Sequence, residues 1–258
     1  MHSTKHPIAI DEHIAAVNLT SFHYGAPGSG KKVYIQASLH ADEVPAMLVA
    51  HVLRQELGRL DAEGRIKGEV ILVPVANPIG LAQVIHGAPF GRYDLATGTN
   101  FNRAYRHVAQ DVMAAVDGQL GQDAAANVAL IREHARRSVA NWEPGNATAV
   151  LKKTLLTMAI DADIMLDLHC DTEAVLHMYA GTPLVEAVLP LAALMEARVL
   201  LVATESGGEP FDEACGRLWW DLARHYPDAA IPPACVAVTV ELRGENDVNY
   251  DYARKDAA

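Results

Sequence analysis

A histidine and a glutamate three residues apart follow an apolar run in the first fifth of the chain. His40 and Glu43 come after residues 33–37, whose sequence Val-Tyr-Ile-Gln-Ala predicts a buried strand. Apolar side chains then recur at helical spacing over 44–52, so both residues lie at the carboxyl end of a predicted strand. Open α/β sheets bind ligands at such strand ends, and this residue pair is typical of metal ligands. The alternative is a hydrogen-bonded loop histidine beside an acid favoured by the helix dipole.

A second histidine ends another short apolar run. His169 follows residues 164–168 and is flanked by Asp167 and Asp171. A third ligand at a second strand end completes a set of His40, Glu43 and His169, and catalytic zinc commonly has three such protein ligands with one position left open. The sequence therefore predicts one zinc ion per chain. Asp167 or Asp171 could orient an imidazole by accepting a hydrogen bond from the ring nitrogen that does not bind the metal.

A glutamate at the end of a third apolar run could supply the base that hydrolysis needs. Zinc acts as a Lewis acid and lowers the pKa of bound water to about 7, but a side chain must still carry the proton to the leaving group. Glu241 ends the run 235–241, where partial burial would raise its pKa into a useful range. Two alternatives are an exposed carboxylate and an ion-pair partner for Arg243.

A polar loop over residues 91–103 carries candidate substrate-binding groups. The guanidinium of arginine matches a carboxylate with two parallel hydrogen bonds, so Arg103 could anchor an acidic substrate and Arg92 could polarise its carbonyl. Asn102 lies beside Arg103 in the same loop. The alternative is that these arginines are solvated surface residues, which is the interpretation preferred for Arg106.

Taken in order, five segments resemble the zinc carboxypeptidase superfamily and, within it, the succinylglutamate desuccinylase and aspartoacylase family. They are residues 40–43, 77–80, 102–103, 167–170 and 239–244. The resemblance extends from about residue 32 to residue 244. It implies a zinc-dependent hydrolase in which His40, Glu43 and His169 hold the metal and Glu241 is general base and then general acid. It also implies that Asn102 and Arg103 bind the substrate.

The chain departs from the family pattern in two places. Relatives commonly have Asp-Leu before the Asn-Arg pair, where this chain has Asn100-Phe101, and the distance to their upstream arginine varies, so the alignment of Arg92 is the weakest. Many relatives also continue past the catalytic glutamate into a further helix and a β-rich domain. We therefore expect residues 1–258 to form a single zinc-hydrolase catalytic domain without that extension, with a partial chain and a minimal chain both left open.

Composition and charge narrow the classes of partner. The chain of 258 residues has 32 acidic and 21 basic side chains, a net charge of −11, and no long run of lysine or arginine. This argues against nucleic acid or a membrane surface as partner and leaves a small-molecule substrate. The first residues lack the apolar core of a secretory signal, and no apolar stretch reaches the roughly 18 residues of a membrane span, so the protein is predicted to be cytoplasmic. The number of chains in the assembly is left open.

Predicted strands and helices alternate along the chain. The predicted strands are 33–37, 69–75, 164–168, 199–203 and 235–241, and the predicted helices are 43–57, 123–140, 148–160, 184–197 and 211–225. This order predicts a three-layer α/β sandwich with a mixed, mostly parallel sheet, and the resemblance makes it zinc carboxypeptidase-like. Residues 141–146 are the one candidate linker, but the predicted site draws on both sides of it, which favours one domain.

The leading hypothesis is a zinc amidohydrolase that removes the acyl group from an N-acyl amino acid. One alternative is a zinc carboxypeptidase acting on peptide C-termini, with the same chemistry at the metal. The other is a metal-binding protein without turnover, whose site stands open to solvent. Glu241 argues against the last, because a structural zinc site is normally closed by four protein ligands and has no use for a base.

Overall fold

The computed structural model describes residues 1–9 and 17–258. The strands are β1 His2–Ile8, β2 Val17–Gly25, β3 Lys32–Ala37, β4 Glu69–Val73, β5 Val84–Ile85, β6 Ala88–Pro89, β7 Ile164–Asp171, β8 His177–Gly181, β9 Val199–Ala203 and β10 Val236–Gly244. The helices are α1 Val44–Ala62, α2 Pro78–Leu81, α3 Ala109–Val116, α4 Ala124–Ala140, α5 Ala147–Ala159, α6 Val185–Leu194, α7 Phe211–His225 and α8 Tyr250–Ala257, with a 3-10 turn Thr182–Leu184 before α6.

Within the described part of the chain, eight strands form one sheet in the order β1-β2-β4-β3-β7-β10-β8-β9. The central strands β4, β3, β7 and β10 are parallel to one another, as are β8 and β9 at one edge. The pairings of β1 with β2, β2 with β4 and β10 with β8 are antiparallel. The prediction of a mixed, mostly parallel sheet is confirmed.

Helices cover both faces of this sheet. On one face α3, α4, α5 and α7 contribute to a core that contains Ile131, Leu155 and Trp219. On the other face α1, α6 and α8 supply Val49, Val188 and Ala253 to a second core. Two apolar cores separated by a sheet make the predicted three-layer sandwich, and this prediction is also confirmed.

The segment 141–146 joins two helices that lie on the same face. Asn146 ends the segment and accepts a hydrogen bond from the N–H of Ala149, so it caps the first turn of α5. Asp123 caps α4 in the same way, accepting from the N–H groups of Ala125 and Ala126. The segment is thus a short helix-to-helix connection, while the single-domain interpretation of the whole chain stays a prediction.

Several elements were absent from the sequence-based prediction. They are β1, β2, β8 and α3, and the short α2, β5 and β6. The predicted strand 69–75 ends at Val73, whereas β7 and β10 run three residues beyond their predicted ends. Among residues 1–9 and 17–258, no helix has both the length and the apolar character needed to cross a membrane.

Candidate active site

The three apolar runs that end in candidate site residues are adjacent strands. β7 lies between β3 and β10 and is parallel to both, so their carboxyl ends meet at one edge of the sheet. His169 on β7 is the direct partner of Glu241 on β10. Ala37, the last residue of β3, pairs with Leu168, so the turn that carries His40 and Glu43 begins beside His169.

His40, Glu43 and His169 form one buried cluster. A ligand atom from each of the three lies within 4.8 Å of the others. Glu43 Oε1 is 2.9 Å from His40 Nδ1, and Glu43 Oε2 is 2.7 Å from His169 Nδ1. The backbone N–H of Cys170 also donates to Glu43 Oε2, at 3.0 Å. Two imidazole nitrogens and a carboxylate therefore face one point, and this donor set fits a catalytic zinc ion.

The outward-facing nitrogens of both imidazoles have oxygen partners. His40 Nε2 is 2.9 Å from Asn100 Oδ1, and His169 Nε2 is 3.0 Å from Asp167 Oδ2. Each partner can accept a hydrogen bond from Nε2, so Nδ1 is the nitrogen of each ring that faces the cluster. Of the two acids considered from sequence, Asp167 is therefore the one behind His169. Asp171 is exposed and accepts a hydrogen bond from the N–H of Thr172.

Charge coupling within the cluster is strong. Burial alone would raise the pKa of Glu43, but the imidazoles of His169 and His40 outweigh it and hold that pKa well below its ordinary value. Burial alone would lower the pKa of His169, but Asp167 and Glu43 raise it far above its ordinary value. The buried carboxylates thus stabilise positive charge at this point of the protein, which is the electrostatic environment that a dication requires.

Glu241 is half-buried in the same cavity and lacks the partner proposed as an alternative. Burial, reinforced by the charge of Glu43, raises the pKa of Glu241 to about 7. Its Oε2 has no hydrogen-bond partner among the described residues. Arg243 instead makes a two-point ion pair with Asp256 on α8, at 2.6 and 2.8 Å. The interpretation of Glu241 as the partner of Arg243 is therefore wrong.

Backbone strain flanks two of these side chains. Ser38, two residues before His40, has a φ of 65°, and Arg243, two residues after Glu241, has a φ of 69°. β10 also shifts register against β7 between Glu241 and Gly244. Non-glycine residues adopt such angles at a cost, and they concentrate where the chain must aim a functional group.

The loop 91–103 lies against the cluster. Arg92 donates from Nη2 to Glu43 Oε1 at 2.9 Å. This approach depends on Gly91, because a Cβ there would lie 2.3 Å from the backbone nitrogen of Asp42. The exposed side chain of Arg106 pairs with Asp111, in agreement with its assignment as a surface residue.

Asn102 and Arg103 connect the loop to the start of α7. Asn102 Oδ1 accepts from the N–H of Phe211 at 2.9 Å, while its Nδ2 lies 3.4 Å from His169 Nε2. Arg103 donates to the carbonyl oxygen of Asn102 at 2.7 Å, and its side chain crosses Gly208, where a Cβ would lie 2.8 Å from Arg103 Cδ. The glycine pair 207–208 therefore borders the site.

Asn77 holds the backbone that precedes His40. Its side chain is fully buried, donates to the carbonyl oxygen of Leu39 at 2.9 Å and accepts from the N–H of Gly80 at 2.8 Å. The Asn-Pro-Ile-Gly segment thus caps α2 and fixes the turn that presents His40.

A cavity of about 520 Å³ contains every residue that the sequence singled out for the site. Those residues are His40, Glu43, Arg92, Asn102, Arg103, His169 and Glu241. The sequence-based prediction missed further lining residues, which are Tyr179, Gly181, Leu201, Ala203, Ser206, Pro210, Asp212, Glu213 and Thr239 among others. Burial raises the pKa of Asp212 to about 6. Most of these come from β8, β9 and the start of α7, where no polar motif marks a site.

Residues 29–129 match the family described as the succinylglutamate desuccinylase/aspartoacylase catalytic domain. A comparison with curated proteins found no match. Among solved structures, a protein from Shewanella amazonensis described as a member of the succinylglutamate desuccinylase/aspartoacylase family is 26% identical, with a TM-score of 0.83 over 100% of this chain and 70% of that one. A protein from Shewanella frigidimarina with the same description is 26% identical, with a TM-score of 0.81 over 99% of this chain and 68% of that one.

A metallo-carboxypeptidase from Burkholderia cenocepacia shares the fold at 14% identity, with a TM-score of 0.57 over 99% of this chain and 62% of that one. The sheet and its helical layers thus form an α/β sandwich whose fold this metallo-carboxypeptidase shares. The match of residues 29–129 and the fold shared with the two Shewanella proteins make this chain similar to the succinylglutamate desuccinylase/aspartoacylase family.

Proposed function

We propose that this protein is a zinc-dependent hydrolase that cleaves the amide bond of an N-acyl amino acid. The observation that carries the proposal is the half-buried carboxylate of Glu241 beside the cluster of His40, Glu43 and His169, all lining one cavity. The similarity of residues 29–129 to the succinylglutamate desuccinylase/aspartoacylase catalytic domain supports hydrolysis of an acyl group.

The three clustered residues would hold one zinc ion, which when bound supplies Lewis acidity toward the scissile carbonyl and acidifies a water molecule. Asn100 and Asp167 lie at Nε2 of the two imidazoles, which leaves Nδ1 of each ring facing the cluster. Glu43 receives further hydrogen bonds from Arg92 and the backbone of Cys170, so the donor set is formed in advance.

Glu241 would move the proton. Its unpartnered Oε2 accepts a proton from the attacking water as oxygen adds to the carbonyl carbon. The same oxygen then gives the proton to the amide nitrogen as the carbon–nitrogen bond breaks. A pKa near 7 suits both halves of this transfer, because the group must be ionised before the attack and acidic after it.

Arg103 and Asn102 would bind the carboxylate of the amino acid, and Arg92 would face the scissile carbonyl. This arrangement is supported by the position of all three in the cavity that contains Glu241. The side chain of Arg92 remains 45% exposed although it touches Glu43, so it can turn toward a substrate.

Elemental analysis paired with an activity panel tests this proposal. We expect about one zinc per chain in the wild-type protein, loss of the metal in His40→Ala, and release of free amino acid from N-acyl amino acids. If short peptides exceed N-acyl amino acids in kcat/KM, the protein is a carboxypeptidase instead. Bound zinc without hydrolysis of either substrate class would favour the alternative of a metal-binding protein that has no turnover.

A further inference from the structure

The cavity continues beyond the three clustered residues onto a partly exposed part of the sheet. Residues paired directly across neighbouring strands project from the same face. One such row runs from Asp167 on β7 through Thr239 on β10 and Tyr179 on β8 to Leu201 on β9. The row is polar beside the cluster and apolar toward the edge strand.

Four residues form the outer part of this surface, which we call the apolar floor: Tyr179, Gly181, Leu201 and Ala203. Gly181 pairs with Ala203, next to the pairing of Tyr179 with Leu201. Tyr179 is 40% exposed and Leu201 is 42% exposed, although both line the cavity. Exposed apolar surface that continues from a reaction site is a common feature of ligand-binding grooves.

The polar rim of the cavity is mainly acidic. Among the described lining residues, the arginines are Arg92 and Arg103, and each already donates a hydrogen bond, to Glu43 and to the Asn102 carbonyl. Three further acids line the cavity outside the cluster and the proposed base: Asp171, Asp212 and Glu213. One substrate carboxylate can be matched by Arg103, but a second would face acidic side chains.

We propose that the substrate is an N-acyl amino acid with a single carboxylate and an apolar group, which lies on the apolar floor. This inference rests on the proposed function and narrows it to one substrate class. The apolar group can belong either to the acyl chain or to the amino acid side chain. Both groups adjoin the scissile amide, so either one can reach the floor. Diacids, which carry a second carboxylate, are poor substrates.

A panel of five compounds separates these possibilities. N-acetylglycine has no large apolar group, N-acetylleucine carries one on the amino acid, N-hexanoylglycine carries one on the acyl chain, and N-acetylaspartate and N-succinylglutamate carry additional carboxylates. We expect kcat/KM for N-acetylleucine or N-hexanoylglycine to exceed that for N-acetylglycine and for both acidic compounds by at least about tenfold. Whichever of the two is preferred identifies the moiety that lies on the floor.

Variants in the apolar floor, with a control outside the cavity, test which residues cause the preference for apolar substrates. Leu201→Asn should reduce the ratio of kcat/KM for the apolar substrate to kcat/KM for N-acetylglycine by about fivefold or more. Ala203→Leu fills the floor without adding polarity, so it should also reduce the preference for the apolar substrate over N-acetylglycine. Leu189→Asn alters a side chain of similar exposure, 46%, on α6 outside the cavity and should change nothing. A faster wild-type reaction with the acidic compounds, or an equal effect of Leu201→Asn on all substrates, would overturn the inference.

Binding measurements distinguish this inference from the proposed function. Calorimetry on zinc-loaded Glu241→Gln should show tighter binding of the apolar compounds, with a negative heat-capacity change. Preferential binding with no turnover by wild type would refute the proposed function and leave the inference standing. Turnover without a preference for apolar compounds would support the proposed function and refute the inference. If the protein neither binds nor turns over these compounds, both are refuted.

Discussion

Glu43 is the residue at which the contacts of the site converge. It contacts His40, His169, Arg92 and the backbone of Cys170, and it is only 4% exposed. Glu241 is the opposite case, because it is half-buried and its buried Oε2 has no partner among the described residues. A carboxylate with many partners is held charged, as a metal ligand must be, whereas one with few partners can exchange a proton.

Replacing Glu241 with glutamine tests the proposed base. The amide has nearly the same shape but cannot accept the proton, so kcat should fall by about 10² to 10⁴-fold. Zinc content should stay near that of wild type, because Glu241 lies outside the ligand cluster. Retention of full activity would remove Glu241 from the mechanism.

The raised pKa of Glu241 predicts how activity depends on pH. Because the base must be ionised, and its pKa is raised to about 7, kcat/KM should fall as the pH is lowered through that region. If the general base were an exposed glutamate with an unperturbed pKa, kcat/KM would fall only near about pH 4.3. The measurement is a pH profile of kcat/KM, and the residual activity of Glu241→Gln should lack this acidic limb.

At the scale of elements, neighbouring strands exchange side-chain contacts beneath the site. Gln36 on β3 donates to Asp167 Oδ1 on β7 at 2.9 Å and accepts from the hydroxyl of Tyr34 at 2.8 Å. Asp167 in turn faces His169. Through these contacts, the pairing of β3 with β7 fixes the orientation of His169.

Gln36→Leu should therefore weaken zinc binding by about 10- to 100-fold, because Asp167 loses the donor that fixes it. Competition against a chromophoric chelator measures the affinity. Tyr34→Phe is the control, since it removes a hydrogen bond one step further from the histidine and should have a smaller effect. Equal zinc affinities in wild type and Gln36→Leu would contradict this account.

A buried lysine on α5 supports the substrate-binding loop. Lys152 is 3% exposed and donates to the carbonyl oxygens of Asn100 and Arg103, at 3.1 and 2.5 Å. Burial lowers its pKa to about 8. The helix thus satisfies two loop carbonyls on either side of Asn102.

Lys152→Met should raise KM several-fold, because the part-buried carbonyl oxygens of Asn100 and Arg103 lose their donor and the loop that carries Asn102 is less firmly held. Zinc content should be unchanged, because the variant does not touch the three clustered ligands. Lys153→Met is a matched control: it also removes two lysine-to-carbonyl bonds, but at the end of α4 and in the following turn, away from the site. If both variants raise KM alike, the effect is not specific to the loop.

At the scale of the whole molecule, the metal cluster joins distant parts of the chain. Glu43 and His169 are 126 residues apart in sequence and lie on opposite sides of the α4–α5 connection. A ligand that binds only the folded state stabilises it, by about 2.7 kcal/mol at a concentration 100 times its dissociation constant. Zinc should therefore stabilise the entire fold.

We expect the Tm of the metal-free protein to rise by about 5–10 °C when zinc is added at 100 times its dissociation constant. His169→Ala, which removes one ligand, should lose most of this shift. Differential scanning calorimetry after chelation and re-addition measures it. A shift of equal size in the variant would mean that zinc binds elsewhere.

Much of this fold and site could be predicted from the sequence, for a physical reason. β3, β7, β9, β10 and the long helices carry strong apolar patterns, and the candidate site residues follow the apolar runs of β3, β7 and β10. β1 was missed because most of its side chains are exposed, and β8 because its sequence His-Met-Tyr-Ala-Gly contains no continuous apolar run.

The sequence by itself predicted the three clustered residues, the candidate base and the layered architecture, because local pattern and spacing encode them. Only the tertiary structure decided which acid supports His169, which partner Arg243 has and what lines the rest of the cavity. Those outcomes depend on which strands lie side by side and which backbone groups approach closely. Strand order and burial are properties of the whole packed sheet, so no single segment specifies them.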